Sequence, residues 1–139
     1  MATIRSKIER TVALIDEDKA VLDAVNLMTE KYIGSVVVIG DSSIKGLFTE
    51  RDLMMRVVAH RRDPATVRLR DIMPHNFHMV SPDDSCDHCL DLMHEHGCRH
   101  LLVYEGEKFV GLVSLRDLVV LMLEEKEDLI SQLKKYITG

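Results

Sequence analysis

The sequence predicts an α+β (α/β) architecture: two β-α-β-β-α repeats packed with pseudo-twofold symmetry. Three observations carry that prediction. A short phrase occurs twice, Gly46-Leu47-Phe48-Thr49-Glu50-Arg51-Asp52-Leu53 returning as Gly111-Leu112-Val113-Ser114-Leu115-Arg116-Asp117-Leu118. The register between the copies, 46 to 111 or 65 residues, holds without a gap from Arg5 to Leu53: Leu27-Met28 falls on Leu92-Met93, Glu30 on Glu95, Val38 on Val103, Arg5 on Arg70 and Ile8 on Met73. Within each copy, helical and strand-like hydrophobic periods follow one another in the same order. A phrase duplicated at a fixed offset marks a duplicated supersecondary unit.

The elements follow in chain order. Thr11 to Ile15 reads as a short strand, and Asp18 to Lys31 as a helix with Val21, Ala24, Val25 and Met28 on one face, ended near Gly34. Ser35 to Ile39 is a buried, β-branched strand. Gly40-Asp41-Ser42-Ser43 is a turn, and Ile44 to Phe48 completes the hairpin. A helix runs from Thr49 to about His60. The second copy repeats the series: a strand near Phe77 to Val80, a helix from Asp83 to His96, strands near His100 to Tyr104 and Lys108 to Val113, and a helix from Ser114. Arg61 to Val67, with Pro64, links the copies, and Asp71-Ile72-Met73-Pro74 is a short turn entering the second. The organisation expected is a first repeat with its N-terminal segment and linker over 1–66, a second over 67–123, and an amphipathic tail over 124–139. The tail aligns Leu129, Ile130, Leu133, Tyr136 and Ile137 in a stripe suited to covering the module or pairing with another chain. One repeat is too small to bury its own sheet face, so two packed sheet against sheet are expected.

Composition narrows the function. The 139 residues, 46% hydrophobic with no Trp, suit a core of Val, Ile, Leu, Met and Ala. The apolar runs are too short to span a bilayer, and residues 1–10 lack a signal peptide's apolar core, so a cytoplasmic protein is expected. Three cysteines give no disulfide framework. The net charge of -5 argues against a general nucleic-acid binder. Charge is uneven, however: Arg51, Arg56, Arg61, Arg62, Arg68 and Arg70 face only Asp52 and Asp63 over the same stretch, whereas Glu124, Glu125, Glu127 and Asp128 cluster after the second phrase. The arginine run is either a solvated face or an anion site near the first phrase.

The phrase itself has two readings. Thr49 with Asp52, and Ser114 with Asp117, are capping boxes. The same groups suit a ligand: N–H groups and a hydroxyl at a helix start accommodate a phosphate, and a carboxylate one turn on can accept from a ribose diol. The glycine three residues earlier lets something approach the backbone closely. Neither a G-x-G-x-x-G nor a P-loop pattern is present.

Glycine, apolar, any residue, Thr/Ser, two residues and Asp, set in β-α-β-β-α, resembles the CBS domain (named for cystathionine β-synthase), and the tandem resembles a CBS pair or Bateman module. Gly34-Ser35-Val36-Val37-Val38, Cys98-Arg99-His100-Leu101-Leu102-Val103 and Val67-Arg68-Leu69-Arg70-Asp71-Ile72-Met73 support the resemblance, which covers nearly the whole chain. It implies a non-enzymatic regulatory module that binds AMP, ADP, ATP, S-adenosylmethionine or NAD(H) in the cleft between repeats, requires no other cofactor, forms a homodimer and modulates an effector protein. By position, Thr49 and Ser114 would meet phosphate or ribose oxygens, Asp52 and Asp117 the ribose hydroxyls, and main chain at Ile15-Asp16 and Val80-Ser81 the base. Arg99 stands at a family phosphate-binding position. The first copy has Gly34 there, so Arg51 or Arg70 would compensate charge. Asp16-Glu17 replaces the common Ser-Pro form kept at Ser81-Pro82, so the two sites are unequal, and the more family-like second is the one expected to be occupied if only one is.

Two alternatives stand beside the sensor: a ligand-free dimerisation adaptor, and a redox or metal sensor built on Cys86, Cys89 and Cys98 with His88, His94, His96 and His100. The register opposes the latter, because Cys86 and Cys89 fall on Val21 and Ala24, and Cys98 on Ile33, all core-type positions. His60, His75 and His78 carry no assigned role. No Ser/His/Asp arrangement or carboxylate pair points to catalysis.

Overall fold

The computed structural model describes residues 2–73 and 77–138, in two compact units. One unit spans Val12–Phe77; the other combines residues through Thr11 with those from His78 onward.

In the Val12–Phe77 unit, β1 (Leu14–Asp16) pairs in parallel with β2 (Ser35–Gly40), which pairs antiparallel with β3 (Ser43–Thr49). The β1–β2 crossover is helix α1 (Val21–Lys31), whose Val21, Ala24 and Met28 are buried against Val36, Val38 and Phe48. The β2–β3 loop puts Asp41 and Ser42 at φ 48° and 63°, the left-handed pair that a two-residue hairpin turn demands. After β3, helix α2 (Glu50–Asp52) passes into a π-helical stretch, Leu53–Val58. The predicted helix thus exists, but its bonds lengthen to five residues, with the Ala59 N–H donating to the Met54 carbonyl.

The other unit repeats this plan. Strand β4 (Met79–Val80) lies parallel to β5 (His100–Glu105), and β6 (Lys108–Ser114) pairs antiparallel with β5. Helix α4 (Cys86–His96) is the crossover and buries Cys86, Cys89 and Met93. Helix α5 (Leu115–Thr138) is continuous. The tail expected as a separate element from residue 124 is therefore the second half of α5, because its Glu, Lys and Leu residues favour helix and nothing interrupts it. Leu129, Ile130 and Leu133 remain more than half exposed.

The units are cut differently from the predicted boundaries at 66 and 67. The leading turn of each repeat packs into the unit holding the body of the other. Ile4, in a 3-10 turn (Ile4–Lys7), is fully buried with Val80, Leu101 and Leu118. Leu69, in α3 (Leu69–Ile72), is fully buried with Val21, Val36 and Phe48. The anchoring is the same twice: the Ile4 N–H donates to the Asp84 carbonyl and the Leu69 N–H to the Lys19 carbonyl, each at 3.0 Å. The segment read as a linker also belongs to the first core, since the Val67 and Pro64 carbonyls accept from the Val21 and Leu22 N–H groups at the start of α1. That satisfies donors which Ala20, having no polar side chain, cannot cap. Of the turn read at Asp71 to Pro74, Asp71 and Ile72 lie in α3, while Pro74, like His75 and Gly139, lies outside the described residues.

Candidate functional site

Each repeat places its hydroxyl–aspartate pair where a hairpin strand becomes a helix. At the end of β3, the Thr49 N–H donates to Asp52 Oδ2 at 2.9 Å, Thr49 Oγ1 donates to the same oxygen at 3.0 Å, and the Asp52 N–H donates back to Thr49 Oγ1 at 3.2 Å. At the end of β6, the Ser114 N–H and Oγ donate to Asp117 Oδ2 at 3.1 and 2.8 Å, and the Asp117 N–H donates to Ser114 Oγ at 3.1 Å. The capping reading is therefore realised in both copies. The cap engages Oδ2 in each aspartate, which directs the second carboxylate oxygen elsewhere.

What that second oxygen meets differs. Asp52 Oδ1 accepts an ion pair from Arg56 Nε at 3.3 Å, one turn along the same helix. At the second box no ion pair of that kind is present among the described residues; there the neighbour is the Glu9 carboxyl, which burial first, and the Asp117 charge next, push above the usual carboxylate range. Glu9 is held there by its backbone, whose N–H donates to the Leu112 carbonyl at 2.8 Å and whose carbonyl accepts from the Leu112 N–H at 3.0 Å. This explains the glycine of the second phrase. Gly111 sits at φ 154°, and a Cβ there would collide with the Glu9 carbonyl oxygen. The close approach expected at that glycine is made by the chain's own backbone.

The remaining predicted residues divide between the two units. Ile15 and Val80 are buried in the cores, leaving their main chain at the carboxyl ends of β1 and β4. Asp16 Oδ1 accepts from the Asp18 N–H at 2.8 Å, whereas the Ser81 N–H donates to Asp84 Oδ2 at 2.8 Å and Ser81 Oγ accepts from the Asp83 N–H at 3.2 Å. Both are thereby tied into the turn that opens the next helix. Arg51 is exposed on α2. Arg99 is exposed, and its carbonyl accepts from the Leu115 N–H at 2.8 Å, tying it to the start of α5.

Arg70 is engaged by acids of its own unit. Its Nε donates to Asp18 Oδ1 at 2.6 Å and it pairs with Glu17 at 3.7 Å, contacts that raise its pKa. The equivalent Arg5 pairs with Asp83 at 2.7 Å and Glu105 at 3.3 Å. Both arginines pin a leading turn to its host unit. Sequence reasoning missed Glu9 as a neighbour of the second phrase.

The thiols behave as core groups. Cys86 Sγ donates to the Leu118 carbonyl at 3.4 Å, and burial pushes Cys89 up to about 12. Cys98 is half-buried and also raised by burial. Among the described residues no cluster of three or more His, Cys, Asp or Glu side chains could hold a metal ion, and no helix is long and apolar enough to cross a membrane.

Known proteins share this fold. The chain is 28% identical over 127 residues to the mitochondrial CBS domain-containing protein CBSX3 of Arabidopsis thaliana, covering 88% of this chain and 62% of that one. It is 28% identical over 120 residues to the CBS domain-containing protein YhcV of Bacillus subtilis, covering 86% and 85%. Among solved structures, a putative signal-transduction protein with CBS domains from Burkholderia ambifaria superposes with a TM-score of 0.81 at 37% identity, covering 85% of this chain and 91% of that one. Hypoxic Response Protein I with two coordinated zinc ions superposes at 0.72 and 26% identity, covering 86% and 98%. The CBS-domain profile matches twice in tandem, over residues 6–59 and 69–124, and the chain belongs to the CBS-domain family.

Proposed function

We propose that this protein is a ligand-sensing regulatory module in which the Thr49–Asp52 and Ser114–Asp117 boxes receive the ribose of an adenosine-containing ligand: AMP, ADP, ATP, S-adenosylmethionine or NAD(H). CBS pairs are in general regulatory, nucleotide-binding modules, and stand-alone examples are typically not enzymes. One observation supports the ribose reading above the others: in both repeats the cap occupies Oδ2 and leaves the role of Oδ1 to another partner, so one carboxylate can hold its helix start and still accept from a diol. In this reading the half-buried hydroxyl of each box meets the ligand's oxygens, the main chain at Ile15-Asp16 and Val80-Ser81 meets the base, and Arg99, which forms no ion pair with the described residues, supplies charge to a phosphate. Arg51 remains a candidate for the first site; Arg70, pinned to Asp18, is withdrawn from it.

The module acts in the cytoplasm on an effector protein, as a self-associated species. A related CBS-CP12 protein from bloom-forming cyanobacteria is hexameric, and here the half-exposed Met54, Met55, Val119, Val120 and Leu123 offer apolar surface for a homodimer. The zinc ions of Hypoxic Response Protein I do not transfer to a matching cluster among this chain's described residues.

Thermal unfolding with each of AMP, ATP, S-adenosylmethionine and NADH tests the reading. A ligand at a hundredfold its Kd stabilises by about 2.7 kcal/mol through linkage, a rise of several degrees in Tm. That rise should vanish in the Asp52→Ala, Asp117→Ala double variant. If none of the four ligands moves the transition, the sensing function is wrong and the boxes are helix caps alone.

A further inference from the structure

Helix α5 continues past the body of its unit as a rod with an uncovered apolar seam. Lys7 ties Glu124 to the body at 2.7 Å, and from Lys126 to Ile137 every residue is exposed. Along α5, Val119, Leu123, Lys126, Ile130, Leu133 and Ile137 follow one another in alternating steps of four and three residues, all six exposed. A seam with this 3.5-residue period is the pattern by which one helix packs lengthwise on another. A helical stretch as short as this tail is marginal in water, and packing its apolar face is what stabilises it. We propose that the seam is the contact surface for a second copy of this chain, whose α5 lies against it antiparallel, with Ile130 opposite the partner's Leu133 and Lys126 opposite the partner's Ile137. This rests on the self-association proposed above and adds its segment and direction. Val119 and Leu123, at the head of the seam, stay available to the contact named there.

Charge selects both the occupant and the direction. Glu127 and Lys134 directly follow the seam positions Lys126 and Leu133, so they lie on the same edge of the seam, seven residues apart. Two copies related by a two-fold axis and run antiparallel bring like edges together. Glu127 of each protomer then lies beside the partner's Lys134, and the pair forms twice. Run parallel and in register, the copies would set Lys126 against the partner's Lys126 in the middle of the seam, a like-charge contact among apolar neighbours. The Glu127 edge would then meet the opposite edge, where Leu129 and Tyr136 offer no cation. The antiparallel arrangement lets the Lys126 stem lie along the partner's Ile137 while its ammonium reaches water. The seam is thus complementary to itself, a property that a surface for an unrelated helix does not need.

Sedimentation velocity of the full chain over a concentration series tests this. The Ile130→Gln, Leu133→Gln double variant removes four apolar side chains from the paired seam and should weaken self-association roughly a hundredfold. Glu127→Lys alone and Lys134→Glu alone should each weaken it about tenfold. The two reversals together should restore it, because the exchanged charges still face each other. All four positions are exposed, so the melting temperature of each variant in dilute solution should match its parent's. A large drop there would mean that the seam serves its own unit, and overturns the proposal. Association unchanged by the two glutamines overturns the tail contact while the self-association proposed above stands. Single reversals that the double reversal does not rescue overturn the antiparallel direction. A full chain that stays monomeric at every concentration overturns both the tail contact and the self-association.

Discussion

Tyr32 closes α1 in the left-handed conformation, at φ 54°, and the residue is 96% exposed. Its counterpart in the register is Gly97, which closes α4 at φ 64° without the Cβ penalty. Tyr32→Gly should accordingly stabilise the protein by about 0.5–1 kcal/mol, measured by urea unfolding; a loss of stability would mean the exposed ring has a contact that outweighs the strain. His78 presents a second residue-scale test. Its ring stacks on His96 with centroids 3.6 Å apart, and burial first, then the His96 charge, hold its pKa below the ordinary value. Glu95 pulls the other way. A base depressed in the folded state resists a proton that the unfolded chain accepts near pH 6.5, so stability must fall as pH drops through that value. Melting scans at pH 7.5 and 5.5 should show wild type losing more than His78→Asn; equal losses would contradict this. Much at this scale was legible. The Thr49–Asp52 and Ser114–Asp117 caps follow from spacing alone, and the buried thiols from their alignment with Val21 and Ala24. The Arg70–Asp18 pair was also within reach, since Arg5 and Asp83 recur in the same register. Glu9 was not, because its counterpart is a proline and repeat comparison rewards only what is written twice.

At the scale of the element, the two caps are the most direct probes. Thr49→Ala and Ser114→Ala each remove a hydroxyl that bonds a helix N–H, and each should cost about 0.5–2 kcal/mol. Each cap bonds only within its own box and the two share no partner, so the double variant should cost close to the sum; denaturant titration measures all three. A cost confined to one copy would show that the boxes are not equivalent structurally. Strands and crossover helices were readable because β-branched runs and the 3.6-residue period are strong signals. Two features were hidden. The π winding of Leu53–Val58 has no signature in a stretch whose residues would equally suit an α-helix. The continuity of α5 was obscured by the acidic cluster at Glu124 to Asp128, which reads as a boundary yet is made of good helix formers.

For the whole molecule, the decisive structural fact is the exchange of leading turns. Ile4 and Leu69 occupy the same register position, and each is fully buried in a core whose main body belongs to the other repeat. Sequence could align the two turns but not assign them, because two repeats of the same plan offer each turn two similar docking places. Ile4→Ala should therefore cost about 2–5 kcal/mol despite its place near the N-terminus, and hydrogen exchange should speed up chiefly from His78 onward; exchange confined to residues 2–11 would show that the turn is only peripheral. The central claim, that the repeated box is a nucleotide site as well as a helix cap, is tested most directly by native mass spectrometry of the intact chain with AMP added. The account predicts bound AMP on the unsubstituted protein and none on the Asp52→Ala, Asp117→Ala variant. An unliganded chain at saturating AMP, or equal occupancy in the double variant, would contradict it.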